Sequence, residues 1–94
     1  YLGVGAQPVA LPPDVAEQVG QRTALLVFTV EAGSPAEAGG LRVGDLLLRL
    51  DDQPLRHFDD LLAALGGGTV GREAALQIAR GGRLETRTVS PVER

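Results

Sequence analysis

The sequence predicts a small α+β domain, a five-stranded, partly open β-barrel or sandwich with one main helix and two short ones. Three observations carry that reading. Apolar runs of strand length alternate with short helical stretches, in the order strand, helix, strand, short helix, strand, helix, strand, strand. Phe58, Leu61, Leu62 and Leu65 fall at i, i+3, i+4 and i+7, a single apolar helical stripe. Gly81-Gly82 separates two strand-like runs and supplies the positive φ values that a two-residue hairpin turn needs.

Leu2 to Ala10 reads as the first strand, interrupted by Pro8, which has no N–H and belongs on an edge. Pro12-Pro13 introduces a short helix from Pro13 to Val19. Asp14 and Glu17 lie near its N-terminus, and Gly20 is its left-handed stop. Ala24 to Val30 is apolar on both faces, which predicts a central strand covered on two sides. Ser34-Pro35-Ala36-Glu37 predicts one helical turn, with Ser34 as N-cap and Glu37 as its reciprocal partner. Leu46 to Leu50 is a strand, Asp51-Asp52 a tight turn, and Gln53-Pro54-Leu55 a brief return. The main helix runs from Phe58 to Leu65 and stops at Gly66-Gly67-Gly68. Glu73 to Arg80 and Leu84 to Val89 form the hairpin, and Ser90 to Arg94 is a frayed tail.

Ninety-four residues make one domain with room for a modest core. Only Tyr1, Phe28 and Phe58 are aromatic, so that core is Leu, Val, Ile and Ala. A net charge of −3 argues against a nucleic-acid partner, which needs a clustered basic face. No apolar run approaches the length of a membrane span, so direct membrane insertion is not expected, and no segment reads as a signal peptide. The absence of cysteine removes disulfides, thiolate metal sites and cysteine nucleophiles.

The stretch with most chemical content is Tyr1-Leu2-Gly3-Val4. An apolar–Gly–apolar step at a strand start lets successive backbone N–H groups converge on an anion. Gly3, without Cβ, lets the loop bend and a ligand approach. Leu2 and Val4 then place apolar surface beside the anion, which describes capture of a peptide's C-terminal carboxylate. The same four residues also open many ordinary buried strands, and the rest of the chain separates the two readings.

Tyr1-Leu2-Gly3-Val4, Gly33-Ser34-Pro35-Ala36, Gly40-Leu41, Gly44-Asp45, Gln53-Pro54-Leu55 and Asp60-Leu61 to Ala64-Leu65 together resemble a PDZ domain. Their order resembles the bacterial type, with permuted strand order, found in HtrA (Deg-type) serine proteases, and the likeness spans the whole chain. The resemblance implies a peptide-binding module without catalytic groups of its own, part of a longer, homo-oligomeric, extracytoplasmic serine protease. It implies that the amides of Leu2, Gly3 and Val4 hold a carboxylate, and that Gly5, Ala6 and Gln7 pair with the peptide backbone. It also implies that Leu2, Val4, Leu61, Leu62 and Leu65 line the pocket for the last side chain, and that Phe58 reads the side chain two residues earlier. The expected partners are C-terminal or extended peptides with an apolar last residue. An assembly module of a secretion component, or of another membrane-associated protease, is the alternative. The sequence departs from the family at Asp51-Asp52, where Asn-Gly is usual, and at His57, a weak helix cap.

Other chemistry finds little support. His57 is the single histidine, Ser34 is already used as a cap, and Ser90 lies in the tail, so no catalytic triad can be assembled. Asp51-Asp52 reads as turn chemistry and Asp59-Asp60 as helix N-terminal charge. The glycine run at 66–68 lacks the Lys-Ser/Thr of a phosphate loop. No metal or cofactor is expected.

Overall fold

The structure, a computed structural model, describes residues 1–66 and 70–93. Its elements follow the expected order: β1 (Val4–Ala10), α1 (Pro13–Val19), β2 (Thr23–Val30), α2 (Pro35–Ala38), β3 (Leu46–Leu50), β4 (Gln53–Pro54), α3 (Phe58–Ala64), β5 (Ala74–Arg80) and β6 (Arg83–Val89). The strands form one antiparallel, partly open sheet ordered β1-β2-β3-β5-β6, with β4 added beside β3. The sixth strand is the brief return after Asp51-Asp52, short enough to escape a count made on periodicity. Gly67 and Gly68 of the expected helix stop lie outside the described residues.

Each face of the sheet buries its own apolar cluster. Leu25, Val27, Leu47, Leu50, Leu76 and Ile78 meet Leu55 and Leu61 on the side covered by α3. Ala24, Leu48 and Ala79 meet Leu11 and Val15 on the side covered by α1. A register shift between Leu47 and Arg49 brings Leu47 and Leu50 into one cluster while Leu48 enters the other. Leu47, Leu48 and Leu50 are thereby all buried within a five-residue strand.

Local chemistry explains the punctuation. Gly20 (φ 71°) closes α1 in the left-handed region. Ser34 Oγ accepts the Glu37 N–H at 3.2 Å and donates to the Glu31 carbonyl at 2.7 Å. Glu37 takes the Gly33 N–H at 3.0 Å rather than that of Ser34, so the reciprocal bond falls one residue earlier than expected. Asp51 sits at φ 50°, an unfavourable region that its carboxylate offsets by binding the Ala75 N–H at 2.9 Å and Arg72 at 3.0 Å. At the start of α3, Asp60 accepts the N–H groups of Arg56 at 2.9 Å and His57 at 3.2 Å. The Arg56 bond, more than the His57 one, holds the Asp60 carboxyl below the ordinary carboxylate range.

Two expectations need correction. The strand at Ala24 to Val30 is covered on both sides only as far as Val27; Phe28 and Thr29 are both exposed. Phe28 has no partner in the β1–β2 register, which shifts between Gly5 and Ala6, so a bulge turns its ring outward. The tail is also tied down at Val92, whose carbonyl accepts from the Tyr1 nitrogen at 2.7 Å and whose N–H donates to the Tyr1 carbonyl at 3.1 Å.

The strongest polar joint is Asp45 with Arg80. Arg80 donates Nε to Oδ1 at 2.8 Å and Nη2 to Oδ2 at 2.7 Å, and Nη2 also reaches the Gly40 carbonyl at 2.8 Å. The Arg42 N–H completes the Asp45 carboxylate at 2.8 Å. Asp45 is 2% exposed. Burial pushes its carboxyl upward, but the Arg80 bonds and the Arg42 N–H outweigh it and hold the group below its ordinary value of 3.8. A carboxyl depressed in the folded state stabilises above its unfolded value and loses that contribution as pH falls through the folded one. Asp45→Asn should therefore cost about 3 kcal/mol at neutral pH in urea unfolding, and the gap from the parent should narrow below about pH 4. A constant gap across that range would show that the pair does not carry the acid dependence.

Candidate functional site: a groove at the sheet edge

β1 is an edge strand, and α3 lies beside it across a groove of about 340 Å³. The groove is lined by the Tyr1–Gly5 segment, by Phe28, Thr29 and Glu31 from β2 and its end, and by Phe58, Leu61, Leu62 and Leu65 from α3 and its C-cap. The wall is mostly apolar. Leu2 and Leu61 are buried at its base, while Leu62 and Phe58 remain 54% and 37% exposed at its rim.

The loop at the end of the groove is built from Gly3. Its φ is +91°, and a Cβ placed there would stand 2.2 Å from Ser34 Cβ. Only glycine fits both the angle and the approach. The carbonyls along this segment all bond inward. That of Tyr1 goes to Val92, that of Leu2 to the Ala36 N–H at 2.9 Å, and that of Gly3 to the Glu31 N–H at 2.9 Å. The N–H groups of Leu2 and Gly3 have no acceptor among the described residues. Donors left over at the end of an apolar trough make an anion site.

The register settles which strand groups face the open edge. The Gly3 carbonyl bonds to Glu31 and the Leu11 N–H to the Arg22 carbonyl. Antiparallel alternation from both ends turns the backbone groups of Gly5, Gln7 and Val9 toward β2, and those of Val4, Ala6, Pro8 and Ala10 outward. Of the expected pairing residues Gly5, Ala6 and Gln7, only Ala6 therefore offers its backbone to an added strand, and Val4 joins it. Ala6 and Gln7 do not line the cavity. Pro8 occupies an outward position with no N–H to give, which shortens the usable edge.

The structure brings Leu2, Gly3, Val4, Gly5, Phe58, Leu61, Leu62 and Leu65 into one groove. Sequence reasoning missed Tyr1 as a wall residue, and Phe28, Thr29 and Glu31 altogether. Phe28 and Thr29 are hidden in an apolar run whose bulge has no periodic signature. The Tyr1 hydroxyl donates to the Glu31 carboxylate and anchors it at the groove's end. His57 is exposed at the start of α3. Among the described residues, no three His, Cys, Asp or Glu side chains gather as metal ligands, and no helix is long and apolar enough to cross a membrane.

A family profile described as "PDZ domain" matches residues 1–90. The chain belongs to the PDZ domain family. This PDZ domain is 37% identical over 92 residues to a probable periplasmic serine endoprotease DegP-like of Pseudomonas putida, covering 96% of the chain and 19% of that relative. It is 34% identical over 88 residues to the protein of the same description from Rhizobium meliloti, covering 92% of the chain and 17% of the relative. The PDZ domain thus spans about a fifth of the curated relatives it matches. Among solved structures, it superposes with a TM-score of 0.78 and 27% identity on the HtrA-type protease AlgW with a decapeptide, covering all of this chain and 29% of that one. The fold likewise matches the HtrA3 PDZ domain bound to a phage-derived ligand, with a TM-score of 0.74 at 20% identity, covering 97% of this chain and 83% of that one.

Gly3→Ala tests the loop. The left-handed φ and the Ser34 overlap should together lower the unfolding free energy by about 2–4 kcal/mol in urea denaturation. A change below about 0.5 kcal/mol would mean that the Gly3 backbone is not pressed against Ser34.

Proposed function

We propose that this PDZ domain captures the C-terminus of an extended peptide as a strand added to β1. The observation that carries the reading is the pair of uncommitted amides, Leu2 and Gly3, at the end of an apolar groove. A carboxylate accepts from those amides and from Val4 N–H, and each bond to a charged acceptor contributes about 1.5–3 kcal/mol. The last residue lies opposite Val4 and sends its side chain toward Leu2, Leu61, Leu62 and Leu65. Burying an apolar side chain there adds roughly 1.5–3 kcal/mol. The third residue from the end pairs with Ala6, on the face where Phe58 stands. A parent protein of HtrA serine-protease type, homo-oligomeric and extracytoplasmic, fits the DegP-like relatives and their periplasmic description. The domain then acts as its regulatory tether for exposed apolar chain ends.

Fluorescence polarisation with labelled peptides tests the capture. A peptide ending in Val as the free acid should bind in the micromolar range, and its C-terminal amide at least about tenfold more weakly. Equal binding of the two forms would remove carboxylate capture and favour an assembly module that pairs with internal strands.

Phe58→Ala should flatten the preference for an apolar residue third from the end while leaving the ranking of last residues in place. An unchanged profile in a peptide library would show that α3 is read in another register.

A further inference from the structure

β1 pairs with β2 without a break from Ala6 to Ala10, and Pro8 stands in the middle of that run, opposite Leu25. Proline has no N–H. Its absence costs the β1–β2 ladder nothing, because the backbone of residue 8 points to the open edge. The effect of Pro8 therefore falls on whatever approaches from outside. Pro8 is exposed, and so is Gln7 before it. Val4 and Ala6 each present an N–H and a carbonyl outward, whereas Pro8 presents a carbonyl alone. Only Ala10 faces outward beyond it before β1 ends. The edge thus offers two complete positions in a row and then a gap.

We propose that Pro8 is a stop for strand addition: it confines pairing to the last four residues of a bound peptide and separates a short chain end from a long extended strand. The proposal rests on the terminal-capture reading. With the last residue opposite Val4 and the third from the end opposite Ala6, the fourth lies opposite Gln7 and the fifth opposite Pro8. A hydrogen-bonded antiparallel pair exchanges two bonds. The third residue makes both with Ala6. The fifth has one on offer, from its N–H to the Pro8 carbonyl, while its own carbonyl meets the pyrrolidine ring in place of a donor. A carbonyl taken from water and left unpaired costs at least as much as one neutral bond returns. Ordering the fifth residue adds an entropy cost. The peptide therefore gains nothing by following the edge past its fourth residue, and it leaves β1 there. Four protruding residues are then tail enough for a folded protein to be held. The same gap denies a long unpaired ladder to strands of other proteins and to a second copy of this chain.

The test is a competition titration. N-acetylated free-acid peptides of four, six and ten residues, sharing their last four residues and ending in Val, displace a labelled peptide followed by fluorescence polarisation. On the parent domain the three should bind within about twofold of one another. Pro8→Ala restores the N–H. It should leave the four-residue peptide unchanged and tighten the six- and ten-residue peptides by about two- to tenfold. The quantity compared is the ratio of ten- to four-residue affinity within each protein, so a general loosening of the strand cancels. Pro8→Val should raise that ratio as Pro8→Ala does, since both return the same backbone donor. Affinity that climbs with length on the parent domain, or a ratio that neither variant changes, overturns the stop and leaves terminal capture standing. A rise in Pro8→Val alone assigns the effect to side-chain packing and also overturns it. Failure of every free-acid peptide to bind the parent domain removes the capture reading and the stop with it.

Discussion

The groove depends on one asymmetry in how the first three residues satisfy their backbone. Tyr1, Leu2 and Gly3 each commit a carbonyl to the protein, to Val92, Ala36 and Glu31 respectively. The N–H groups of Leu2 and Gly3 are left without a protein partner among the described residues. In a strand the two groups of a residue point the same way, so both would be used or both would be free. Gly3, turned to φ +91° and pressed on Ser34, breaks that alternation. The loop is held from behind by its acceptors and presents its donors in front. Converged donors of this kind can bind an anion without any basic side chain, and among the described residues none lines the groove.

The parts that make this possible lie well away from Gly3. Ser34 must be both a helix cap and a surface for Gly3, which requires α2 to sit firmly against the loop. Its C-terminal end is fixed through Gly40, whose carbonyl shares Arg80 with Asp45. Asp45 in turn lends its carbonyl to the Val27 N–H at 2.9 Å, just before the bulge that turns out Phe28. A single buried ion pair therefore joins the end of α2, β5 and the groove side of β2. Buried pairs of this sort often add little net stability relative to an apolar replacement. What Asp45 and Arg80 do add here is a defined geometry between α2 and the sheet.

Much of this was legible from residue types whose physical roles are local. Ser34-Pro35 announced the cap, Gly20 the helix stop, and Gly81-Gly82 the hairpin, where φ values of 59° and 79° match the turn. The Phe58–Leu65 stripe placed α3, and the loop glycine marked the site. What escaped depends on register and on pairing between distant segments. Phe28 stands in an apolar run and reads as core, because no periodicity reveals the bulge that exposes it. The assignment of Gly5, Ala6 and Gln7 as pairing residues treated a strand as uniform, although only alternate residues face its free edge. The Val92 tie joins residues 91 positions apart, beyond any local signal.

In the proposed terminal capture, backbone and side chains would divide recognition between them along this groove. The amides of Leu2 and Gly3 answer to a charge that every peptide terminus carries, so they can give affinity and direction but no discrimination among sequences. Discrimination has to come from side chains on the two faces of the added strand. On the inner face Leu61, Leu62, Leu65 and Phe58 offer only apolar surface, which distinguishes size poorly because one methylene is worth about 1 kcal/mol. On the outer face the Phe28 ring lies over the backbone of β1, in the room that the missing side chain of Gly5 leaves opposite the bulge.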